Sequence, residues 1–286
     1  MKNKKNILIT GGAGFIGSNL AEKLVNNGHN VISIDNYSFG RKENEVDNVK
    51  YINDDITNIS IVSESIDICY HLAAKARVQP SFDDPVDYFR VNAKGTMIIM
   101  EWAKKNDVKV VYAGSSSKHF SPEDSPYAMY KYLGEQIIKL YKKSFNVKAE
   151  IARFYNVYGP RESRDEKFGN VIGIWTTKAM KGESLPIVGD GLQRRDFTHV
   201  YDIVDGLIRI GFSKISEEDG WELGTGNNYS VNELFEMFRL RFNSKSILIP
   251  DQPGNYKKTL RKNDKLLDLL DWKPNDRLAQ HIRNLV

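Results

Sequence analysis

Three side chains near the middle of the sequence have the types and spacing of a proton-transfer group. Tyr127 and Lys131 are four residues apart, so on a helix both lie on one face, and the run Ser115–Ser117 precedes them. A tyrosine ordinarily has a pKa of about 10, and the Lys131 ammonium would favour its ionised form. Ser116 would hydrogen-bond both a substrate oxygen and Tyr127. The pattern predicts acid–base chemistry; the alternative is that Tyr127 is only a packing residue on an aromatic helix.

A glycine-rich loop at the start of the chain predicts a dinucleotide cofactor, whose reaction the proton transfer would accompany. Gly11, Gly14 and Gly17 stand between an apolar run and a segment with helical spacing. Such glycines permit a tight turn, close approach of a pyrophosphate, and packing of the helix on the strand. Asp35 would accept hydrogen bonds from ribose hydroxyls and repel a 2′-phosphate, which favours NAD over NADP. We therefore predict hydride transfer to a nicotinamide; the alternative is a glycine turn that binds nothing.

The elements that must position these residues alternate between strand and helix. We predict strands at Asn6–Thr10, Asn30–Asp35, Val49–Asn53, Ile66–His71, Val108–Ala113 and Val147–Phe154, and helices at Phe15–Asn27, 85–105, 127–146, Val200–Phe212 and Ser230–Phe242. This order indicates an α/β fold with a Rossmann-type doubly wound parallel sheet. We expect residues 1–160 to form the NAD-binding domain. Residues 161–286 would form mainly a smaller C-terminal substrate-binding lobe, interleaved with late elements of the main sheet.

Composition argues against several classes of partner. The net charge of +4, from 41 basic and 37 acidic side chains, includes no basic block, so we expect neither nucleic acid nor a membrane surface as partner. No apolar run approaches the roughly 20 residues of a membrane helix. Cys69 is the only cysteine, and Met1–Lys5 is followed by an apolar run too short for a secretion signal. These features predict a cytoplasmic protein, and we expect no metal in its site.

The motifs, taken in order, resemble the extended short-chain dehydrogenase/reductase family, and within it the nucleotide-sugar epimerases and dehydratases. The matching segments run nearly end to end and include Thr10–Gly17, Asp35–Gly40, Asp55–Ile56, His71–Ala74, Asn92–Thr96, Ser115–Ser117, Tyr127–Lys131, Arg153–Pro160, Gly189–Gly191, Arg195–Phe197, Gly224–Gly226, Pro253–Gly254 and Trp272–Pro274. So many matches in one order are far more specific than any single motif.

The resemblance implies roles for individual residues. It implies NAD contacts from Gly11, Gly14, Phe15, Ile16, Gly17, Asp35, Asn36, Asp55, Ile56, Leu72, Ala73, Ala74, Asn92, Tyr127, Lys131 and Tyr155. It places Ser116 and Tyr127 at the sugar, and Asn156, Asn170, Val171 and Arg195 around the diphosphate of a nucleotide sugar, which we expect to be a UDP-sugar. The planar donor fork of arginine suits phosphate.

Two positions at the phosphate end leave alternatives open. Arg195 would instead form a surface ion pair if Asp190 or Asp196 lies beside it. Gln252 stands where the family often has an arginine before Pro-Gly, and we expect Arg161 or Lys257 as its substitute. The segment between the serines and Tyr127 is also much shorter than is usual for the family, which would alter the rim of the substrate site.

The same resemblance narrows the reaction. In the 4,6-dehydratases an Asp-Glu pair follows the catalytic hydroxyl, whereas aligned on Ser116 this chain has Ser117 and Lys118. Without those carboxylates we expect inversion of C4 of a UDP-hexose through a transient 4-keto sugar. The alternatives are another nucleotide-sugar reaction (reduction, 5-epimerisation or 4,6-dehydration) and a non-catalytic NAD-sensing regulator. Tyr127 and Lys131 argue against the regulator, because a binding module does not need them.

The helical segments also predict self-association. Met97–Trp102 is apolar nearly all round its helix, and the long helix after Tyr127 has two apolar faces. One face can cover the sheet and the other needs a second partner. We therefore predict a homodimer with a four-helix contact across a two-fold axis, which the resemblance also implies.

Overall fold

The computed structural model describes residues 4–286; Met1, Lys2 and Asn3, part of the basic start considered above, lie outside the described residues. Strands β1 to β13 are Asn6–Thr10, Asn30–Asp35, Val49–Asn53, Ile68–His71, Lys109–Ser115, Ala149–Phe154, Asn156–Tyr158, Leu185–Val188, Arg194–Arg195, Phe197–His199, Trp221–Leu223, Tyr229–Ser230 and Ser246–Ile249. Helices α1 to α10 are Phe15–Asn26, Gln79–Asp83, Pro85–Phe89, Thr96–Asn106, Pro126–Phe145, Val171–Met180, Val200–Phe212, Val231–Phe242, Lys265–Leu270 and Leu278–Arg283.

The central feature is a parallel sheet of seven strands in the order β11-β6-β5-β4-β1-β2-β3. Every neighbouring pair in it is parallel. The strand order reverses at β1, which lies between β2 and β4, and ligands of such sheets bind beyond the carboxyl ends of the strands at this point. The predicted α/β fold with a Rossmann-type doubly wound sheet is confirmed.

Burial on both faces explains the short apolar runs. Leu8 packs into an apolar cluster with Ile99 and Met100 of α4, whereas Ile7 and Ile9 pack into a second cluster on the other face, which includes residues of α1 and α7. Successive strand residues point to opposite faces, so a strand covered by helices on both sides must be apolar throughout. The glycines after β1 then end the strand at the edge where the sheet can bind a ligand.

The predicted helix over residues 85–105 is divided in the structure. Helix α3 ends at Phe89, residues Arg90–Gly95 form a π-helical turn, and α4 begins at Thr96. The turn allows close approach at Gly95, where an added Cβ would lie 2.5 Å from Ile56 Cδ1. It also turns Asn92 towards the loop after β4, where its side chain accepts from Lys75 N and donates to Lys75 O, both at 2.9 Å. Such turns occur frequently at functional sites.

The later part of the chain contributes both to the main sheet with its covering helices and to a separate apolar cluster. Strand β11 joins the main sheet beside β6, and α7 packs against α1. A third apolar cluster lies apart from the sheet and includes Trp175, Phe238 and Leu278. The predicted division into residues 1–160 and 161–286 stays a prediction. Among residues 4–286 no helix combines the length and apolar character that a membrane crossing requires.

A buried ionic network joins β6 and β11 to α5. Arg153 donates to both carboxylate oxygens of Glu135, through Nε and Nη2 at 2.9 Å, and Nη1 donates to Glu222 at 3.1 Å. The side chain of Arg153 is fully buried, as is that of Glu222. Glu222 also accepts hydrogen bonds from His119 and Tyr155. This network fixes the strands directly behind the sheet's carboxyl edge.

We predict that Arg153→Met lowers the free energy of unfolding by about 3–5 kcal/mol, because it leaves two carboxylates buried without their cation. The measurement is equilibrium unfolding in urea, and the matched control is Arg239→Met. Arg239 forms an exposed pair with Glu236, so its removal should cost less than about 1 kcal/mol. Equal stability of the two variants would contradict the prediction.

Candidate active site

The predicted proton-transfer residues lie at the start of α5. The helix begins at Pro126, and Ser125 caps it by accepting from Ala128 N at 3.1 Å. Proline suits the first helical position, where its missing N–H removes no helical hydrogen bond. Tyr127 donates through its backbone N–H to Ser81 Oγ at 3.2 Å, so α5 is also fastened to the segment after β4.

The hydroxyl that contacts Tyr127 is that of Ser115 rather than that of Ser116. Tyr127 Oη donates to Ser115 Oγ at 3.2 Å, and Ser115 Oγ also accepts from Ser117 N at 3.1 Å. Ser115 is the last residue of β5, whereas Ser116 opens the 3₁₀ turn that follows. This corrects the hydrogen bond expected of Ser116, because consecutive residues at a strand end point in different directions. Ser116 lines the same cavity, and its role there stays a prediction.

Lys131 lies one turn further along α5 and is buried. Its Nζ donates to Ala113 O at 2.9 Å and lies 5.2 Å from the centre of the Tyr112 ring. Burial lowers the pKa of the Lys131 ammonium to about 8, although the charge of Glu135 opposes this shift. A lysine held by a backbone carbonyl has a fixed position, which suits a group that must orient a ligand.

The environment of Tyr127 differs from the one that its sequence spacing suggests. Burial raises the pKa of the Tyr127 hydroxyl, whereas the hydrogen bond with Ser115 and the positive charge of Arg77 lower it. The expected effect of Lys131 on this pKa stays a prediction. Arg77, which the sequence analysis did not select, is therefore a cation whose charge acts on the Tyr127 hydroxyl.

The glycine loop after β1 forms a cradle that side chains would fill. Gly11 has a φ of +77°, and an added Cβ would lie 2.9 Å from Ala73 N. An added Cβ at Gly17 would lie 2.1 Å from Gly11 O. Gly14 occupies the N-cap position of α1 and provides no side-chain cap, so the first N–H groups of the helix point towards the cradle. These features fit the pyrophosphate of a dinucleotide at a helix N-terminus.

Asp35 ends β2 beside this cradle. Its Oδ2 accepts from Ala13 N and its Oδ1 from Tyr37 N, both at 2.9 Å. Burial raises the pKa of Asp35, whereas these two hydrogen bonds lower it. Each carboxylate oxygen can accept a further hydrogen bond. The position therefore fits the ribose hydroxyls of NAD, the predicted ligand.

One cavity of about 1270 Å³ joins the cradle to Tyr127 along the carboxyl edge of the sheet. Of the residues predicted for the cofactor and the substrate, those that line it are Gly11, Gly14, Phe15, Ile16, Gly17, Asp35, Asn36, Asp55, Ile56, Leu72, Ala73, Ala74, Ser116, Tyr127, Lys131, Tyr155, Asn156, Asn170, Val171 and Arg195. Asn92 is not among the lining residues. Its amide is directed to the backbone of Lys75 instead, so it supports the loop that faces the cavity.

The far end of the cavity contains Arg195. Its Nη2 donates to Asn255 Oδ1 at 2.5 Å and its Nη1 to Arg194 O at 2.9 Å. Burial lowers the pKa of Arg195 to about 10. Within residues 4–286 it forms no ion pair, so the alternative of a pair with Asp190 or Asp196 is wrong.

Of the two substitutes expected for the family's second phosphate-binding arginine, Arg161 lines the cavity and Lys257 does not. Arg161 donates to Glu22 Oε1 at 2.9 Å, and its role at a phosphate stays a prediction. Asn170 caps α6 by accepting from Gly173 N at 2.9 Å, and Val171 is the first residue of that helix. The N-terminus of α6 thus adds its backbone N–H groups to this end of the cavity.

An aromatic contact that the sequence did not reveal joins the segment after the serines to a distant loop. The ring of Phe120 stacks on that of Tyr256 with centroids 3.9 Å apart and an angle of 9° between the planes. Phe120 lies in the shortened segment before Tyr127, and Tyr256 lies in the loop that follows β13. The only signal in the sequence was the unusual length of this segment, which does not identify the partner.

Comparisons with known proteins agree with this geometry. A protein of Methanocaldococcus jannaschii, provisionally named a UDP-glucose 4-epimerase, is 34% identical over 98% of this chain and 97% of its own. UDP-glucuronic acid decarboxylase 1 of Danio rerio is 30% identical over 96% of this chain and 70% of its own. The structure of UDP-glucuronic acid 4-epimerase from Bacillus cereus, in complex with UDP-glucuronic acid and NAD, is 27% identical, with a TM-score of 0.89 over 98% of this chain and 97% of that one.

The sequence model of the NAD dependent epimerase/dehydratase family matches residues 7–213, which contain the glycine cradle, Asp35, the serine run, Tyr127 and Lys131. The chain belongs to this family of NAD-dependent enzymes.

Proposed function

We propose that the protein is an NAD-dependent epimerase that inverts C4 of a UDP-hexose through a transient 4-keto sugar. The observation that carries this proposal is the hydrogen bond between Tyr127 Oη and Ser115 Oγ, in the same cavity as the glycine cradle. Proton transfer and cofactor binding would therefore share one cavity. The names of the relatives at about 30% identity also support an enzyme of nucleotide sugars.

In the proposed reaction Ser115 and Tyr127 bind the C4 hydroxyl of the sugar. Tyr127 removes the hydroxyl proton as C4 is oxidised, and later returns a proton to the same oxygen. The hydride acceptor and donor for C4 would be supplied by NAD bound at the glycine cradle. Lys131, held by Ala113 O, would position the ribose next to the nicotinamide and favour ionisation of Tyr127.

The residues after the catalytic hydroxyl support epimerisation over dehydration. Once Ser115 is taken as that hydroxyl, Ser116 and Ser117 stand where the dehydratases have the Asp-Glu pair. Neither serine can remove the C5 proton or protonate the leaving C6 hydroxyl at neutral pH. The keto sugar would therefore keep its other substituents, rotate, and receive the hydride on its opposite face.

The diphosphate of the substrate would bind at the end of the cavity opposite the glycine cradle. Arg195 is free of carboxylate partners among the described residues, and its fork suits the diphosphate. The first N–H groups of α6, beginning at Val171, would supply further donors. UDP-sugars are the ligands in the structures of similar epimerases, which makes UDP the nucleotide we propose.

A second candidate is oxidative decarboxylation of a UDP-uronic acid, which the named decarboxylases among the relatives favour. It begins with the same oxidation at C4. The resulting ketone is β to the C6 carboxylate, whose C5–C6 bond then breaks to release CO₂ without a protein carboxylate. The two candidates differ in product, since one yields a C4 epimer and the other a pentose.

The test of the proposed function is incubation of the protein with UDP-glucose and UDP-glucuronic acid carrying deuterium at C4. We expect the C4 epimer of one or both, with deuterium retained on the sugar, because the hydride returns to the carbon that it left. Products are identified by chromatography and mass spectrometry. A 4-keto-6-deoxy sugar or a pentose as the main product would contradict C4 epimerisation.

Variants of the hydroxyl pair test the assignment within that reaction. Tyr127→Phe keeps the ring but removes the oxygen that transfers the proton, so turnover should fall by about 10²- to 10⁴-fold. Ser115→Ala should reduce turnover more than the matched Ser116→Ala. Bound NAD should be retained in all three variants. Full activity of Ser115→Ala would place the hydroxyl elsewhere.

We predict that the protein prefers NAD to NADP by at least about tenfold, because Asp35 would lie beside a 2′-phosphate. Asp35→Asn should reduce the preference by removing the negative charge. Calorimetry on cofactor-free protein measures both affinities. The control is Asp54→Asn, since Asp54 does not line the cavity; equal affinities of the unaltered protein for NAD and NADP would refute the role of Asp35.

We also propose a homodimer formed by the outer faces of α4 and α5. Met97 at the start of α4 is 46% exposed, and Leu140 on α5 is 51% exposed, although both are apolar. Met97→Glu should weaken the dimer, as measured by light scattering at micromolar concentration. Leu240→Glu is the control, because Leu240 is 80% exposed on α8. A monomeric mass for the unaltered protein would exclude this proposal.

A further inference from the structure

The amide of Asn255 connects Arg195 to a carboxylate on the protein surface. Asn255 Oδ1 accepts a hydrogen bond from Arg195 Nη2 at 2.5 Å, and Asn255 Nδ2 donates to Asp251 Oδ1 at 2.9 Å. An arginine side chain can only donate and a carboxylate can only accept, so these two neighbours fix which end of the amide faces each of them. Asn255 and Arg195 line the cavity, whereas Asp251 is exposed and does not line it. The amide therefore stands between the cation in the cavity and this carboxylate.

The main chain holds Asn255 beside Arg195. Arg194 N donates to Lys257 O at 2.9 Å, and Thr259 N donates to Arg194 O at 3.0 Å. The segment that follows Asn255 thus runs alongside β9, the strand that contains Arg195. The contact between the two side chains consequently follows from pairing of the backbone.

Two hydrogen bonds direct the guanidinium of Arg195 and leave most of its donors free. Nη2 donates to Asn255, and Nη1 donates to Arg194 O at 2.9 Å. A guanidinium has five N–H groups, so the other three of Arg195 have no acceptor among residues 4–286. Both acceptors are uncharged, and although burial lowers the pKa of Arg195 to about 10, the group stays positive at neutral pH. Directed donors and an unpaired positive charge are what a diphosphate requires.

The chemical type of residue 255 determines whether that charge stays available. The hydrogen bonds from Asn255 and from Gln252 N hold the pKa of Asp251 below its usual range, so Asp251 is ionised, yet within residues 4–286 it forms no ion pair with Arg195. An aspartate at position 255 would accept the same bond from Arg195 but would also pair with its charge. Gln252 is itself neutral where the family often has an arginine, so the charge of Arg195 matters more here.

We propose that Asn255 is a positioning residue for the substrate's diphosphate, which acts through Arg195: its amide sets the direction of the guanidinium and leaves the positive charge to the ligand. This inference rests on the proposed function in one respect, since it assumes that Arg195 binds the diphosphate. It does not depend on which reaction takes place at C4. Asn255 therefore affects the affinity for the nucleotide part of the substrate.

The test measures the binding of UDP and of uridine to the NAD-loaded protein by calorimetry, with the affinity for uridine obtained from titrations of UDP in its presence. Asn255→Asp should weaken UDP about 10- to 100-fold, as for loss of a hydrogen bond to a charged group, and leave uridine unaffected. Asn255→Ala should weaken UDP only about two- to tenfold, because the guanidinium loses an orienting contact but keeps its charge. A merely structural role predicts the opposite order, because aspartate retains the hydrogen bond that alanine loses.

The matched control combines Asp251→Asn with Asn255→Asp. This double variant keeps the total charge and an amide–carboxylate pair, but it places the carboxylate next to Arg195, so it should weaken UDP as Asn255→Asp does. UDP affinity equal to that of the unaltered protein, in Asn255→Asp or in the double variant, would contradict the inference. Equal weakening of UDP and uridine would do so too, because uridine has no phosphate.

A double-mutant cycle tests whether Asn255 acts through Arg195. In an Arg195→Gln background, Asn255→Ala should cause no further loss of UDP affinity. A further loss of the same size would mean that Asn255 contacts the ligand independently, which is contrary to a positioning role.

Failure of this inference can be told apart from failure of the proposed function. If Arg195→Gln weakens UDP while the variants of Asn255 do not, only the inference is wrong. If Arg195→Gln binds UDP as tightly as the unaltered protein, the diphosphate site in the proposed function is wrong as well. UDP carries no sugar, so neither result depends on the reaction at C4.

Discussion

The site depends on the parallel alignment of the strands, which brings their carboxyl ends to one edge. Thr10 of β1 pairs with Ile34 of β2 and with His71 of β4, so the loops after these strands emerge side by side. A hydrogen-bonded chain then fixes them: Thr10 Oγ1 contacts His71 Nδ1 at 2.8 Å and accepts from Ala73 N at 3.1 Å. Backbone pairing therefore brings the loops that line the cavity to one edge of the sheet.

The same chain extends to the helical layer. His71 Nε2 contacts Thr96 Oγ1 at 3.1 Å, and Thr96 donates to Asn92 O at 2.7 Å. Burial lowers the pKa of His71 to about 3, with a smaller contribution from the charge of Lys131, so the imidazole stays neutral in the physiological range. A neutral histidine keeps one donor and one acceptor. The loop that carries Arg77 is consequently held by groups that do not titrate near neutral pH.

The parts of the site formed by residues close in sequence could be predicted, whereas contacts between residues far apart in sequence could not. The cradle of Gly11, Gly14 and Gly17 and the placement of Asp35 follow from one strand–turn–helix–strand unit, whose spacing is visible along the chain. Ser115 and Ser116 are chemically identical, and only the length of β5 decides which hydroxyl faces Tyr127. Arg77 was missed because the residues that it affects are distant in sequence. Phe168, whose carbonyl accepts its hydrogen bond, is 91 residues away, and Tyr127, on whose hydroxyl its charge acts, is 50 residues away.

The stack of Phe120 on Tyr256 has a kinetic consequence for the proposed reaction. An aromatic pair contributes about 0.5–1.5 kcal/mol beyond its buried area, which corresponds to roughly a two- to tenfold bias towards contact between the two segments. A bias of that size slows departure of a ligand only slightly. Retention of the keto sugar over many turnovers must therefore come mainly from the nucleotide. Its diphosphate would stay bound at Arg195 while the sugar ring rotates beside Tyr127.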